Sequence, residues 1–266
     1  MKKILNISFL FYIILITIFS ASIIFAGTLE DDFSKTIDFG DNGKISVQNR
    51  NGKIVVEGWD KSSVKIEATK QVRGSSRKKV DEFMEHLKIR VEENNDEINI
   101  ETDFPNKDSG FLDWMFGNGM NASVEYHIWV PYKSNLKLRS SNGRVEALNI
   151  EGNLILETTN GKIVAEEIKG SVDAHTTNGS INIHLLEFKP DDDLGFFTTN
   201  GGIKAYLPRE AKFDLRASTT NGSIDSEFPL EVRGKYNSKR VRGKINGGGT
   251  LLEMQTTNGS IHIYED

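Results

Sequence analysis

Thr158-Thr159-Asn160-Gly161-Lys162-Ile163 reappears as Thr176-Thr177-Asn178-Gly179-Ser180-Ile181, and at the same step before it stands Ser140-Ser141-Asn142-Gly143-Arg144-Val145. Three further copies follow at wider steps: Thr198-Thr199-Asn200-Gly201-Gly202-Ile203, Thr219-Thr220-Asn221-Gly222-Ser223-Ile224 and Thr256-Thr257-Asn258-Gly259-Ser260-Ile261. The last interval, much the longest, holds two repeats, or one with a long insertion. Asn42-Gly43-Lys44-Ile45 and Asn51-Gly52-Lys53-Ile54 are degenerate versions. The residues between copies repeat as well. Val145, Ala147, Ile150, Gly152, Leu154 and Leu156 map onto Ile163, Ala165, Ile168, Gly170, Val172 and Ala174.

Apolar residues two apart mean short β-strands with one inward face, and Asn-Gly between them supplies the positive φ of a tight corner. A unit of about 20 residues cannot bury its own apolar face, so it must stack on copies of itself. A hairpin array and a solenoid both achieve this. A meander, however, alternates its turns between two edges and has no reason to give every second turn the same text. In a coil, equivalent positions lie about 4.8 Å apart along one axis, so Thr stacks on Thr and Asn amides bond in a ladder. The expected fold is all-β, a single-stranded β-helix or β-solenoid. Its corner ladder comprises Asn142, Asn160, Asn178, Asn200, Asn221 and Asn258 with Thr159, Thr177, Thr199, Thr220 and Thr257.

Outward from the repeats, residues 27–266 read as one solenoid domain. Residues 30 to 72 are short alternating strands broken by Gly, the opening coils. Ser75 to Leu87 is the one good helix, with Val80, Phe83, Met84 and Leu87 on one face, and it flanks or caps the end of the stack. Three stretches depart from the pattern as loop insertions. Residues 104–123 carry Phe111, Trp114 and Phe116, an aromatic tip that folds over the open end as a cap or meets a ligand. Residues 185–194 carry Asp191-Asp192-Asp193, which lack the alternating oxygen ligands of a calcium loop and read as solvated. Residues 230–246 carry Arg233, Lys235, Lys239, Arg240, Arg242 and Lys244, a basic loop suited to anionic partners.

Composition narrows the chemistry more than it suggests any. Of 266 residues, 37% are apolar and 27% charged, which is globular, and 33 basic against 38 acidic residues offer no cationic surface for nucleic acid. The absence of cysteine removes disulfides, thiolate metal sites, thiol nucleophiles and a lipid-bearing cysteine. At the N-terminus, Lys2 and Lys3 precede an apolar run from Ile4 to Phe25 that ends at Ala26-Gly27. This reads as a signal peptide over 1–26, or as an uncleaved anchor touching membrane through residues 4–25, since about 20 apolar residues suffice to span. Either reading places the body outside the cytoplasm: secreted, periplasmic or on the cell surface. Cleavage after Ala26 removes Lys2 and Lys3 and no acid, which makes the net charge of −5 more negative by two.

Further residues carry a resemblance. Phe33, Gly40 to Val47, Asn51 to Trp59, Val124 to Pro131, Leu136 to Leu138, the Thr-Thr-Asn-Gly copies, Gly243 to Gly249 and Leu251 to Met254 stand in an order similar to the bacterial "putative adhesin" domain family. The resemblance covers nearly all of residues 30 to 266. It implies a right-handed, single-stranded β-helix on an exported or membrane-associated protein, and it defines no catalytic residues.

Many β-helix proteins cleave polysaccharides, which takes two carboxylates roughly 5 to 10 Å apart around a sugar, or acids with a basic residue. Glu146, Glu157, Glu166, Asp173, Asp225 and Glu227 face outward, yet no pair stands out from ordinary polar alternation. His175, His184 and His262 fall on outward positions, and His86 and His127 are isolated. No phosphate loop, dinucleotide fingerprint or nucleophile elbow is present. The expected protein is a non-enzymatic, adhesin-like binding or structural module of the bacterial envelope, with no cofactor and no metal. Its partners would be an envelope glycan, a cell-surface polymer or a protein, and its contacts Phe111, Trp114, Phe116, Arg233, Lys239, Arg240 and Arg242. The alternatives are a carbohydrate-active enzyme on the same scaffold and a membrane-anchored envelope-stress or signalling component.

Overall fold

The computed structural model describes residues 27–105, 120–192, 194–229, 231–232 and 239–266. The chain opens with β1 (Thr28–Asp38), β2 (Gly43–Gln48), β3 (Ile54–Trp59) and β4 (Ser63–Arg73). A helix, α1 (Arg77–His86), leads to β5 (Lys88–Asn94), β6 (Glu97–Asp103) and β7 (Asn121–Pro131). Regular pairs follow: β8 (Ser134–Asn142) with β9 (Val145–Leu148), β10 (Leu154–Asn160) with β11 (Ile163–Lys169), and β12 (Val172–Asn178) with β13 (Ile181–Glu187). They continue as β14 (Leu194–Asn200) with β15 (Ile203–Leu207) and β16 (Phe213–Asn221) with β17 (Ile224–Ser226). Two strands, β18 (Glu231–Val232) and β19 (Arg240–Ile245), precede the last pair, β20 (Thr250–Asn258) and β21 (Ile261–Glu265).

Each pair is one coil of an all-β solenoid. Its first strand lies in an eleven-stranded sheet, its second in a ten-stranded sheet, and the Asn-Gly corner crosses between them. Neighbouring coils are parallel and in register, with Thr158 beside Thr176 and Asn160 beside Asn178. Alternate residues therefore form columns along the axis. Ile163, Ile181, Ile203, Ile261 and Ile224 make one inward column, all at most 2% exposed. Each such column removes apolar surface from water at about 25 cal/mol per Å².

Stacking order departs from chain order at both ends. In the eleven-stranded sheet β20 lies between β14 and β16, and in the ten-stranded sheet β21 lies between β15 and β17. The C-terminal coil therefore fills a slot between two coils made before it. The long last interval between corner copies is one coil plus an excursion that forms β18 and β19. Similarly, the β2–β3 coil sits between β6–β7 on one side and β8–β9 on the other.

Antiparallel strands close most of the sheet edges, because an open parallel edge would template further pairing. β4 runs antiparallel to β7 and β1 to β4, so of residues 30 to 72 only β2 and β3 form a coil. β5 closes the other sheet at this end, and β19 with β18 closes it at the far end, leaving the short β17 on the remaining edge. Charged and polar side chains mark β1: Asp31 pairs with Lys70, and Asp32 accepts from Thr69 at 2.8 Å. α1 packs on β1 and β4, burying Val80, Phe83, Met84 and the following Leu87 over the stack end.

Candidate binding face

The corner determines everything beside it. Within each Thr-Thr-Asn-Gly, the first threonine points inward and donates from Oγ1 to the glycine carbonyl one coil away. The bonds run Thr158 to Gly143 at 3.0 Å, Thr176 to Gly161 at 3.0 Å, Thr198 to Gly179 at 2.9 Å, Thr256 to Gly201 at 2.8 Å and Thr219 to Gly259 at 2.8 Å. A Cβ on Gly161 would overlap that same carbonyl of Gly143, and a Cβ on Gly179 that of Gly161. Gly143, Gly161, Gly179, Gly222 and Gly259 do not adopt left-handed φ. Close approach between coils, rather than the positive φ expected of a tight corner, is what demands glycine here. Positive φ does occur at two corners, Gly52 and Gly201, and among non-glycine residues at the opposite edge, at Asn149 and Glu167.

Asparagine amides continue outside this spine as a single chain. Asn142 donates to Asn51, Asn160 to Asn142, Asn178 to Asn160, Asn200 to Asn178, Asn258 to Asn200 and Asn221 to Asn258, each Nδ2 to Oδ1 at 2.7 or 2.8 Å. The chain ends where Asn51 donates to the carbonyl of Ala122 at 3.1 Å. Thr159, Thr177, Thr199 and Thr220 are exposed beside it and Thr257 is half-buried; their hydroxyls form an outward rank rather than the inner one.

A trough of about 790 Å³ runs along the axis on the outer face of the eleven-stranded sheet, with this threonine rank as one wall. Its other side is the column that precedes each Thr-Thr, and Ser140-Ser141 and Asn49 in the earlier coils: Gln48, Arg139, Glu157, His175, Phe197 and Gln255. Arg139 holds Glu157 through two contacts, Nε to Oε2 at 2.8 Å and Nη2 to Oε1 at 3.0 Å. His175 contacts Asp173 at 2.7 Å and stacks on Phe197 with ring centres 4.7 Å apart. The result is a rigid strip offering hydroxyls on one side and a mixed polar and aromatic row on the other. It repeats about every 4.8 Å, the spacing of the strands beneath it.

No local pattern marks this column as a binding surface; its one signal in the sequence is a varying residue at a fixed offset from a repeated text. Of the residues nominated from sequence, Arg240 and Arg242 lie on β19, a strand of the sheet, where composition suggests a loop. Lys239 immediately precedes that strand. Phe111, Trp114, Phe116 and Arg233 lie outside the described residues, as does 1–26. β6 and β7 pair with β2 and β3, the strands on either side of Asn51-Gly52. Asp192 accepts from the Lys189 backbone at 2.6 Å and closes a turn. The outward carboxylates have local partners: Glu146 has Arg144, Asp225 has Ser223 and His262, and Glu227 accepts from the Glu265 backbone. Among the described residues no group of three or more His, Asp or Glu side chains is placed to hold a metal ion, and no helix is long and apolar enough to cross a membrane.

Residues 132–264 match the family model described as Toastrack DUF4097. No curated protein matches the sequence. Among solved structures, the chain is similar to a "putative cell adhesion protein" from Clostridium sporogenes, at 16% identity and a TM-score of 0.45, over 90% of this chain and 100% of that one. It is also similar to a "putative adhesin" from Bacteroides fragilis, at 10% identity and a TM-score of 0.27, over 88% and 97% of the two chains. A third, a "putative lipid binding protein" from Parabacteroides distasonis, matches at 10% identity and a TM-score of 0.25, over 88% and 96%.

Proposed function

We propose, for a chain that belongs to the Toastrack DUF4097 family, that the stacked coils act as a non-enzymatic, adhesin-like binding module of the bacterial envelope, exported from the cytoplasm. The ligand is a linear envelope glycan lying along the trough. The observation that carries this reading is the trough's periodicity. One residue of the column from Gln48 to Gln255 recurs per coil, and from Arg139 onward each is accompanied by a hydroxyl, of Ser141, Thr159, Thr177, Thr199 or Thr257. An extended polymer of repeating units meets such a strip in register, whereas a compact small molecule meets a concave, mostly apolar pocket. Phe197 and His175 supply a flat apolar edge, and the Arg139–Glu157 pair supplies donors and acceptors at fixed positions.

The outward carboxylates support binding over hydrolysis, because Glu157, Asp173 and Glu146 are each engaged by a basic neighbour. The aromatic residues Phe111, Trp114 and Phe116 would add a further contact. Co-sedimentation of the full chain with purified envelope polysaccharides, read alongside new reducing ends, tests the reading. Binding without cleavage, weakened about tenfold in His175→Ala/Phe197→Ala, is the expected result. Accumulating reducing ends would make the protein an enzyme. N-terminal sequencing of the exported protein tests the leader: a start at Gly27 means that it is cleaved.

A further inference from the structure

At its C-terminal end the trough runs onto a surface of different character. The column from Gln48 to Gln255 continues through Ser218 to Arg240, because β16 pairs with β20 and β19 pairs with β16. In the same antiparallel register Arg216 stands directly opposite Arg242, and Lys244 opposite Asp214. Arg216, Arg240, Arg242 and Lys244 are all exposed on the outward face of these two strands. Among the described residues none of the four has a carboxylate within ion-pair distance. Two other outward arginines of the same sheet are matched across strands, Arg139 by Glu157 and Arg90 by Asp103. Like charges directly opposite in a sheet oppose its pairing. Three acids stand in register with these bases: Asp214, whose Oδ1 is buried with no hydrogen-bond partner among the described residues, Glu253 beside Arg216, and Glu231 on β18 opposite Lys244. Lys244 thus has an acid on either side, and the unmatched positive charge lies where Arg216 faces Arg242, lining a groove of about 390 Å³.

From this we infer that Arg216 and Arg242, flanked by Arg240 and Lys244, form a subsite for the carboxylates of an acidic polysaccharide whose chain continues along the trough. The inference rests on the trough reading and adds the charge class of its ligand. Charge complementarity fixes that class: two forked guanidiniums side by side are what a planar carboxylate takes up through paired hydrogen bonds. The polymer's negative charge supplies the neutralisation that β16 and β19 lack.

Calorimetric titration of the full chain with polygalacturonate, and with its methyl-esterified form, tests this. The wild type is expected to bind the acid form at least tenfold more tightly, with a preference that shrinks as salt is added. R216Q/R242Q should bind both forms alike and lose about tenfold on the acid form. Without ligand the variant should melt at or above the wild-type temperature, since a repulsion has gone; a lower melting point would make the arginines structural and sink the subsite. Equal wild-type binding of the two forms, or unchanged acid binding by the variant, overturns the subsite and leaves the trough standing. Tighter binding to phosphatidylglycerol vesicles than to polygalacturonate would assign the arginines to lipid instead. Failure of the wild type to bind either polymer overturns the subsite, while co-sedimentation with envelope polysaccharides decides the trough reading separately.

Discussion

Asn258 donates its side-chain N–H to Asn200 Oδ1 at 2.7 Å, although Asn221, nearer to Asn200 in the chain, sits one coil further out. The final coil is thus wedged between β14–β15 and β16–β17 and pairs its backbone with both. Removing residues 247–266 should strip β16, β17 and β19 of their attachment to the stack while leaving β8 to β15 paired. Hydrogen exchange should show protection lost over 213–226 and 240–245 and retained over 136–187. Uniform loss across the chain would show that the coils fold as a single cooperative unit.

Gly161 has no room for a methyl group. A Cβ there would overlap the Gly143 carbonyl, which also receives the Thr158 hydroxyl, so the coils must separate and the bond must break. Gly161→Ala is expected to cost about 3 kcal/mol or more in denaturant unfolding. Gly40, with nothing within 4 Å, is the control, and Gly40→Ala should stay within about 0.5 kcal/mol.

Glu167 holds φ at 57°, in the place that Asn149 holds at 58° one coil earlier. A left-handed backbone costs a residue with a long side chain about 1 kcal/mol, and asparagine less. Glu167→Asn should therefore stabilise the protein by about 0.5 kcal/mol, visible as a melting point higher by one or two degrees. Asn149→Ala should move it the other way.

Burial pushes the Tyr126 hydroxyl up from 10.0 to about 12, even though its hydrogen bond with Thr102, at 2.6 Å, acts in the opposite direction; the charge of nearby Asp103 raises it further. The folded state prefers the neutral phenol. Its contribution is present in full below pH 10 and is lost as pH rises through about 12. Stability should fall by roughly 2 kcal/mol across that window. Tyr126→Phe should flatten the fall, at a cost of about 1 kcal/mol at neutral pH for the stranded Thr102 hydroxyl. Denaturant midpoints at pH 8, 10 and 11.5 check both.

The period of two and the corner text were legible because both are local. Ile163 and Ala165 point inward for the same reason in every coil, and α1 announced itself by the spacing of Val80, Phe83, Met84 and Leu87. The reason for Gly161 was not legible. A turn glycine and a close-approach glycine look identical in sequence, and only the carbonyl of Gly143 distinguishes them. The column through His175 and Phe197 was equally hidden, since its residues are dissimilar and gain meaning only when stacked.

By itself the sequence determined what one coil is: which side chains turn inward, where the chain bends, and which edge carries Thr-Thr-Asn-Gly. A coil's interior depends on residues two apart and on neighbours of the same design, so its rules are written into each repeat. Tertiary structure alone decided which coil lies against which. Every coil presents the same columns and the same backbone edge, so a strand such as β20 pairs equally well in form with several others. Its place between β14 and β16 was settled by the excursion through β18 and β19 and by the antiparallel strands that close the stack. That same closure set Arg216 against Arg242, distant in sequence, in a juxtaposition no local pattern encodes.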